Sequence, residues 1–506
     1  RTRSMFDPQS FSGATKVKGC EFEQLSAQYL TLNVDQRHAV DKVISMNGYA
    51  CIQGLPGTGK TSTIAFIARL LAAQGKRVLI TSYTHAAVDN LLTKLMESGV
   101  HGSDRHPNCS DLVRIGYKSS CHPDVHPILA AQVALDRENL IGGKPSAGAL
   151  YQVMSEARIV GCTALTVART PLLAKQHFDV AIVDEAGQIS QPAILGALMS
   201  ADSFVLVGDH MQLPPLVADD AAEQAGYGVS MLKRLAEQQP DSVAPLTLQY
   251  RMHENICSLC NEIVYRGKLK CANETVRSSK LILSRYPKAL PVPTQHDSTS
   301  NGPNSEIGWL QRVLNPDTPA VFVDTDAIGC SASGAFQGLE RSSGRRQGGT
   351  IVNDTEVSLV RSIVRSLLKC GLNSASIGVI CPYRSQLRLL DDEKFLRRMK
   401  KTGLEISTID RYQGRDKAAI VISLVRSNTE GKSGRLLEDF RRLNVAISRA
   451  KRKLIIVGSM KTLTKGSDVL RPVLQSMSRQ GWVESLPRNA IEMYESPLLS
   501  SQITAT

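Results

Sequence analysis

The sequence predicts an α/β fold made of two tandem lobes, each built on a parallel sheet. Three observations carry that prediction. Short apolar runs of buried-strand type alternate with helical periods in both halves of the chain. Residues 54–61, Gly-Leu-Pro-Gly-Thr-Gly-Lys-Thr, fit the phosphate-loop pattern G-x-x-x-x-G-K-[ST] between a strand and a helix. The length, 506 residues, exceeds what one hydrophobic core organises.

The phosphate loop comes first because its flanks satisfy the pattern. Tyr49-Ala50-Cys51-Ile52 reads as a buried strand before it, and Ile64, Ile67, Ala68 and Leu71 recur at helical spacing behind it up to Gly75. Gly54, Pro56, Gly57, Thr58 and Gly59 would curl the backbone so that its N–H groups face a nucleotide's phosphates at a helix N-terminus. Lys60 can reach the β- and γ-phosphates, and the Thr61 hydroxyl can ligate Mg²⁺. Upstream, Asn33-x-x-Gln36 opens a helix; Gln36 suits a capping box, but its position just upstream of the phosphate loop favours an adenine-reading carboxamide.

Arg77-Val78-Leu79-Ile80-Thr81-Ser82 reads as a second buried strand running into the polar turn Tyr83-Thr84-His85 and another helix. Residues 101–150 lose periodicity and read as an insertion. His101, His106, Cys109, Cys121, His122 and His126 lie there at spacings that match no standard zinc motif, so scattered surface positions are expected. Val180-Ala181-Ile182-Val183 is a third strand, carrying Asp184 and Glu185 at its C-terminal end, where α/β sheets bind ligands. Asp184 suits the Mg²⁺ shell, and Glu185 suits the base for an attacking water. Phe204-Val205-Leu206-Val207 ends in a loop that places Gln212 to sense a γ-phosphate.

The second half opens at Gln249-Tyr250-Arg251 and holds strand runs at Ala320-Val321-Phe322-Val323, Ile377-Gly378-Val379-Ile380, Ala419-Ile420-Val421-Ile422 and Leu454-Ile455-Ile456-Val457. It has no phosphate loop of its own. Its contribution is cationic: Arg251 at the lobe junction and Arg449 on a basic amphipathic helix are candidates to neutralise a transferring phosphoryl group. Residues 331–349, rich in Ser, Gly and Arg, are expected to be a disordered loop. Cys257-x-x-Cys260 and Cys271 are expected to serve packing.

Together these residues resemble a superfamily 1B helicase. The elements are Gln36, the phosphate loop, Asp184-Glu185-Ala186, Gly208-Asp209-x-x-Gln212-Leu213, Gln249-Tyr250-Arg251, the stretch from Thr408 to Asp416, and the stretch from Leu443 to Ala450. Within that group, Thr81-Ser82-Tyr83-Thr84-His85 and Gln212-Leu213-Pro214-Pro215-Leu216 are similar to the helicase module of the eukaryotic DNA replication ATP-dependent helicase/nucleases. The resemblance implies two RecA-like P-loop NTPase lobes, ATP and Mg²⁺ as cofactors, and 5′-to-3′ translocation on single-stranded DNA in Okazaki-flap processing and repair. It implies adenine stacking on Tyr250, ribose contacts from Asp416 and Glu356 beside Gly414, and arginine fingers at Arg251 and Arg449. It places Thr81, Tyr83, His85, Pro214 and Thr408 along the DNA. Gly187, Met211 and Asp416 depart mildly from the family pattern. The family's nuclease domain and its iron–sulfur cysteine pattern are not found in this sequence, so a motor without its nuclease is expected, and no cluster.

The expected partition is a connector over 1–31, a first lobe over 32–245, a second lobe over 246–485 with an irregular or disordered insertion at about 273–350, and a flexible tail over 486–506. The chain begins with Arg1 and reads as a piece of a longer protein. Its net charge of +13 and pI of about 9.2 point to a polyanion, and the resemblance makes that single-stranded or flap DNA, with a single-strand-binding protein and replication or repair factors as further partners. Aromatic residues make up only 5% of the chain, so contact with the strand's backbone should outweigh base stacking. Eleven cysteines without regular spacing fit a reducing compartment, and the resemblance implies the nucleus or mitochondrion. No run of 18 apolar residues occurs, so no membrane partner is expected. An RNA helicase of the surveillance or termination type shares every ATP-site residue and is the alternative; a nucleic-acid clamp that binds ATP without unwinding is the third reading.

Overall fold

The computed structural model describes residues 19–98, 111–140, 143–293, 308–343 and 350–494. It divides into two compact units, residues up to Gln249 and residues from Tyr250 onward. The division falls a few residues beyond the expected 245 because the Asp35 carboxylate accepts from Thr247 N, Thr247 Oγ1 and Leu248 N, tying this segment to the first unit.

The first unit is a seven-stranded sheet in the order β3-β4-β2-β5-β6-β1-β7. Its strands are β1 (Tyr49–Gly54), β2 (Val78–Ser82), β3 (Leu112–Arg114), β4 (Ile159–Thr163), β5 (Phe178–Asp184), β6 (Ala201–Gly208) and β7 (Val243–Leu246). All neighbouring pairs run parallel. A parallel sheet needs helical crossovers that cover its faces, which is why its strands read as unbroken apolar runs. The helices α1 (Gly19–Thr31), α2 (Val34–Ile44), α3 (Lys60–Ala73) and α4 (His85–Glu97) contribute to this cover. Leu25, Val40, Ile64, Phe66, Leu91 and Leu92 share one core with Ile52, Ile80 and Ile182 of the sheet. Helix α1 therefore belongs to the folded unit rather than serving as a connector. Tyr29 on it donates to Asp41 Oδ1 at 2.7 Å, and Arg69 of α3 donates to its Gln28 at 2.6 Å.

The expected insertion is likewise part of the fold. Its residues 112–114 form β3, pairing with β4 at the sheet's edge, and Val125, Ile128 and Leu129 enter the core. Among the described residues no group of three His, Cys, Asp or Glu side chains could hold a metal ion; His101, His106 and Cys109 lie outside the described residues.

The second unit is a six-stranded parallel sheet of β8 (Ala320–Asp324), β9 (Ile377–Cys381), β10 (Glu405–Thr408), β11 (Lys417–Ser423), β12 (Ala450–Gly458) and β13 (Val483–Ser485), in the order β10-β9-β11-β12-β8-β13. Helix α5 (Asp354–Lys369) packs Leu359, Ile363 and Leu367 against it. Two expectations of disorder are corrected here. Residues 341–343 pair antiparallel with 350–352, and the Glu340 carboxylate accepts from Arg426, Ser427 N and Asn428, because a carboxylate with four donors around it anchors the loop that carries it. Residues 486–494 are packed rather than a free tail: Leu486, Ala490 and Met493 are buried, and Trp309 Nε1 donates to Ala490 O at 3.0 Å. Residues 344–349 and 495–506 lie outside the described residues.

Candidate active site

The C-terminal edge of the first sheet collects the nucleotide-site candidates. The phosphate loop leaves β1, Ser82 ends β2 in register with Asp184 at the end of β5, and Gly208 ends β6 before the loop to Gln212. Gly57 and Gly59 take φ of +74° and +81°, a left-handed backbone that glycine adopts without cost. A Cβ on Gly54 would strike the Lys60 side chain at 2.1 Å, and one on Gly59 would come within 2.8 Å of Gln36 Nε2. The loop's close turns thus depend on these glycines, and α3 starts at Lys60, so its free amide N–H groups and positive dipole end lie at the loop. Lys60 Nζ donates to Gly54 O at 2.8 Å, folded across the loop. Thr58 is buried and donates to Leu55 O; Pro56 is buried and Thr61 partly exposed. This donor set and concavity fit a triphosphate, with the Thr61 hydroxyl and the Asp184 carboxylate as oxygen ligands suited to Mg²⁺.

Gln36 does both things its position allows. Its Oε1 accepts from Asn33 N and its backbone N–H donates to Asn33 Oδ1, completing the capping box of α2, while its Nε2 donates to Thr58 O at 3.3 Å in the phosphate loop. The cap therefore ties the glutamine to the loop.

Burial and the neighbouring Glu185 hold the Asp184 carboxyl well above the usual carboxylate range, against the pull of Lys60 and of Glu185 N–H. Glu185 sits at φ +50°, a left-handed conformation uncommon for a residue with a side chain. Such strain persists where the surrounding structure over-determines it; here Gln188 Nε2 donates to Glu185 Oε2 at 3.1 Å. Gly187 stands at a tight approach: a Cβ there would lie 3.1 Å from Asp209 O, in the loop that follows β6. Gln212 is buried and its Nε2 donates to Asp209 Oδ2 at 2.9 Å.

The candidates of the second unit gather at the opposite edge of their sheet, where β11 and β12 begin. Arg251 Nε pairs with Asp416 at 3.0 Å, its Nη1 donates to Ser448 O at 3.2 Å, and Lys451 Nζ pairs with Asp416 at 2.6 Å. Burial pushes the Asp416 carboxyl up, but Arg251, Lys451 and Arg449 together outweigh it and hold its pKa below the usual carboxylate value. Arg449 is only 2% exposed; its Nε donates to Val445 O at 2.8 Å and its Nη2 to Ser448 Oγ at 2.8 Å. Tyr250 is exposed, and Gly414 takes φ +78° with open space where a Cβ would stand, so the backbone conformation is what glycine serves there.

Two candidates are corrected. Glu356 is 0% exposed: its carboxylate accepts from Ser423 Oγ (2.6 Å), Val425 N (2.9 Å) and Asn353 Nδ2 (3.3 Å), which leaves no surface for a ribose. Instead it grips a tight turn after β11, where Val425 stands at φ +71° and Arg426 N donates back to Leu424 O at 2.8 Å. Thr81 is fully buried within β2, so its side chain cannot line a DNA groove. Of the other strand candidates, Tyr83 is exposed, His85 and Pro214 are partly exposed, and Thr408 is buried, at 8% exposure, at the end of β10.

Sequence reasoning gave no role of their own to Asp209, Ser448, Asp89 and Arg114. Arg114 is the largest omission, a fully buried arginine in the apolar run Leu112-Val113-Arg114-Ile115. An arginine at an inward strand position demands a buried carboxylate, and that demand was the available signal.

AAA domain families match residues 31–140 and 137–220, and, as a second domain, residues 227–461. The DNA replication ATP-dependent helicase/nuclease DNA2 of Xenopus laevis is 38% identical over 92% of this chain and 40% of its own length. That of Saccharomyces cerevisiae is 38% identical over 94% of this chain and 28% of its own length. The chain is homologous to this helicase/nuclease family. The homology runs over most of the chain, yet the chain spans less than half the length of these relatives. The two AAA domains of this helicase/nuclease homologue have the architecture of tandem RecA-like lobes, the fold of P-loop nucleoside triphosphatases. A helicase of arterivirus nonstructural protein 10 with DNA aligns over 87% of this chain and 65% of its own, at 14% identity and a TM-score of 0.39, too loosely to support an argument.

Proposed function

We propose that this chain is a 5′-to-3′ single-stranded-DNA translocase and helicase driven by ATP hydrolysis. The supporting observation is the convergence of the phosphate loop, Asp184-Glu185 and Gln212 at the ends of β1, β5 and β6. In this reading Lys60 and the loop amides hold the β- and γ-phosphates, and Thr61 and Asp184 provide the Mg²⁺ ligands. Glu185 takes the proton of the attacking water, and Gln212 senses the γ-phosphate. Gln36 and Tyr250 hold the adenine, with Asp416 beside the ribose. Arg251 and Arg449 supply the cations for the transferring phosphoryl group, a role worth ~10³ to 10⁵ in turnover. Tyr83, His85, Pro214 and Thr408 contact the strand.

The relatives' names carry DNA replication, which favours DNA over RNA as the track. From those names we infer flap processing and repair in the nucleus, with a mitochondrial pool and a single-strand-binding partner as extensions of the same reading. The test is ATP hydrolysis with matched single-stranded DNA and RNA oligonucleotides, paired with directional strand displacement. Lys60→Ala should abolish DNA-stimulated hydrolysis while retaining much of the DNA affinity. Undiminished turnover in that variant overturns the assignment, and preferential stimulation by RNA replaces DNA with RNA as the substrate.

A further inference from the structure

Arg114 and Asp89 form a buried pair that the ATP site does not use. Arg114 Nε donates to Asp89 Oδ1 at 2.7 Å, with side chains 0% and 3% exposed, and Arg114 Nη1 donates to Ile115 O at 2.7 Å. The second carboxylate oxygen of Asp89 accepts from His122 N at 2.8 Å. The remaining guanidinium nitrogen, Nη2, lies 3.1 Å from His85 Nδ1. Arginine has only donors and stays protonated in proteins. At that distance His85 Nδ1 must therefore be the acceptor and must carry a lone pair. A doubly protonated ring would set N–H against N–H, and the Nδ1–H tautomer would do the same. The one form compatible with the contact is the neutral ring with its proton on Nε2.

Two further features act in the same direction. His85 is the first residue of α4, whose N-terminal dipole disfavours a cation. Burial, then Arg114, lowers the His85 pKa against the opposing pull of Asp89. On the turn packed against α4, Asp124 is paired with His122, and the His126 ring contacts the Lys118 and Cys121 carbonyls. Burial pushes the Cys121 thiol up, against the pull of Arg114.

We propose that Arg114 is a positioning residue that locks His85 as an uncharged Nε2–H donor to a phosphate oxygen of the single strand. The inference rests on the reading that His85 contacts that strand. A neutral donor orients a phosphate without displacing a counterion, so it grips at little cost to sliding. Edge strand β3 thereby acquires a function: it delivers Arg114 to the ring.

The test has two arms on the full chain. Histidine-selective ¹⁵N and ¹³C NMR, with His85→Gln for assignment, should show His85 neutral and in the Nε2–H form at both about pH 8 and about pH 6. An Nδ1–H ring, or titration at the ordinary value of about 6.5, overturns the proposal without any variant having to fold. The second arm measures single-stranded DNA affinity against salt at the same two pH values. His85→Leu, which has no donor, should weaken binding several-fold with no change in salt slope. Arg114→Met frees His85 to protonate beside Asp89, so at the lower pH its salt slope should steepen by about 0.7, one further phosphate neutralised. Adding His85→Gln to that variant should remove the change. If the NMR result holds but His85→Leu binds DNA as the native chain does, the strand contact is refuted while the ring's tautomer stands. If the native chain shows neither DNA binding nor DNA-stimulated hydrolysis, the functional reading itself fails.

Discussion

The two sheets carry their polar clusters at opposite edges and in opposite states. At the C-terminal edge of the first, the phosphate loop is shaped by glycines and presents backbone N–H groups together with a single lysine. At the N-terminal edge of the second, the cations already have partners: Asp416 pairs with both Arg251 and Lys451, and the buried Arg449 donates to Val445 O and Ser448 Oγ. One edge is built to receive charge; at the other, three cations around one carboxylate are held by protein groups before any ligand arrives. An arginine that serves a phosphoryl group from such a cluster must exchange one partner for another, and that exchange is a natural point at which chemistry and conformation can be coupled.

Arg251→Ala tests the exchange with the largest expected effect. If Arg251 is a finger, DNA-stimulated phosphate release should fall by ~10³ or more with thermal stability nearly unchanged, since the residue is partly exposed. Arg449→Ala should show a comparable kinetic loss and, in addition, about 3 kcal/mol of destabilisation from the partners left buried. Equal stability losses would erase the distinction between the two arginines. Glu356→Ala comes next. It should cost the second unit about 3 kcal/mol by denaturant unfolding, because three buried donors lose their acceptor, with the KM for ATP unmoved; a raised KM would restore the ribose contact.

Lys453 extends the comparison to the second unit's interior. It is fully buried, and its Nζ donates to Asn315 O at 2.9 Å and Thr318 O at 2.5 Å. Burial lowers its pKa from 10.5 to about 7. Between those values the unfolded chain holds one more proton than the folded one. Stability should therefore rise with pH across this window, by up to about 1.4 kcal/mol per unit. The contribution is complete above the unfolded value and lost as pH falls through the folded one. Lys453→Met should flatten that dependence, as read from chemical unfolding at several pH values. The smallest effect belongs to Gln36→Ala, which should remove about 1 kcal/mol of capping and narrow the preference for ATP over GTP. A stability loss with unchanged base preference would leave Gln36 as a cap alone.

The sequence made the first edge legible because its residues are contiguous and their chemistry is local: glycines, lysine and threonine in one loop, two carboxylates at one strand end. Asp209 was within reach by the same logic, three residues before the Gln212 that it orients. Glu356 was misread because its partners, Ser423 and Val425, lie 67 and 69 residues away and only the folded sheet brings them to it. Arg114 and the packed residues 486–494 were missed for a related reason. An arginine in an apolar run called for a carboxylate, but only the fold identifies it as Asp89, and only the fold brings Trp309 to Ala490.

The turn at Val425 has a consequence of its own. A branched side chain held at positive φ stores roughly 1–3 kcal/mol that glycine would not, and the restraint comes from a carboxylate pushed up to about 8 by burial. The exit of the strand and the first turn of α5 are consequently cocked together, like a catch under spring load. Whatever loosens the acid should let both go at once.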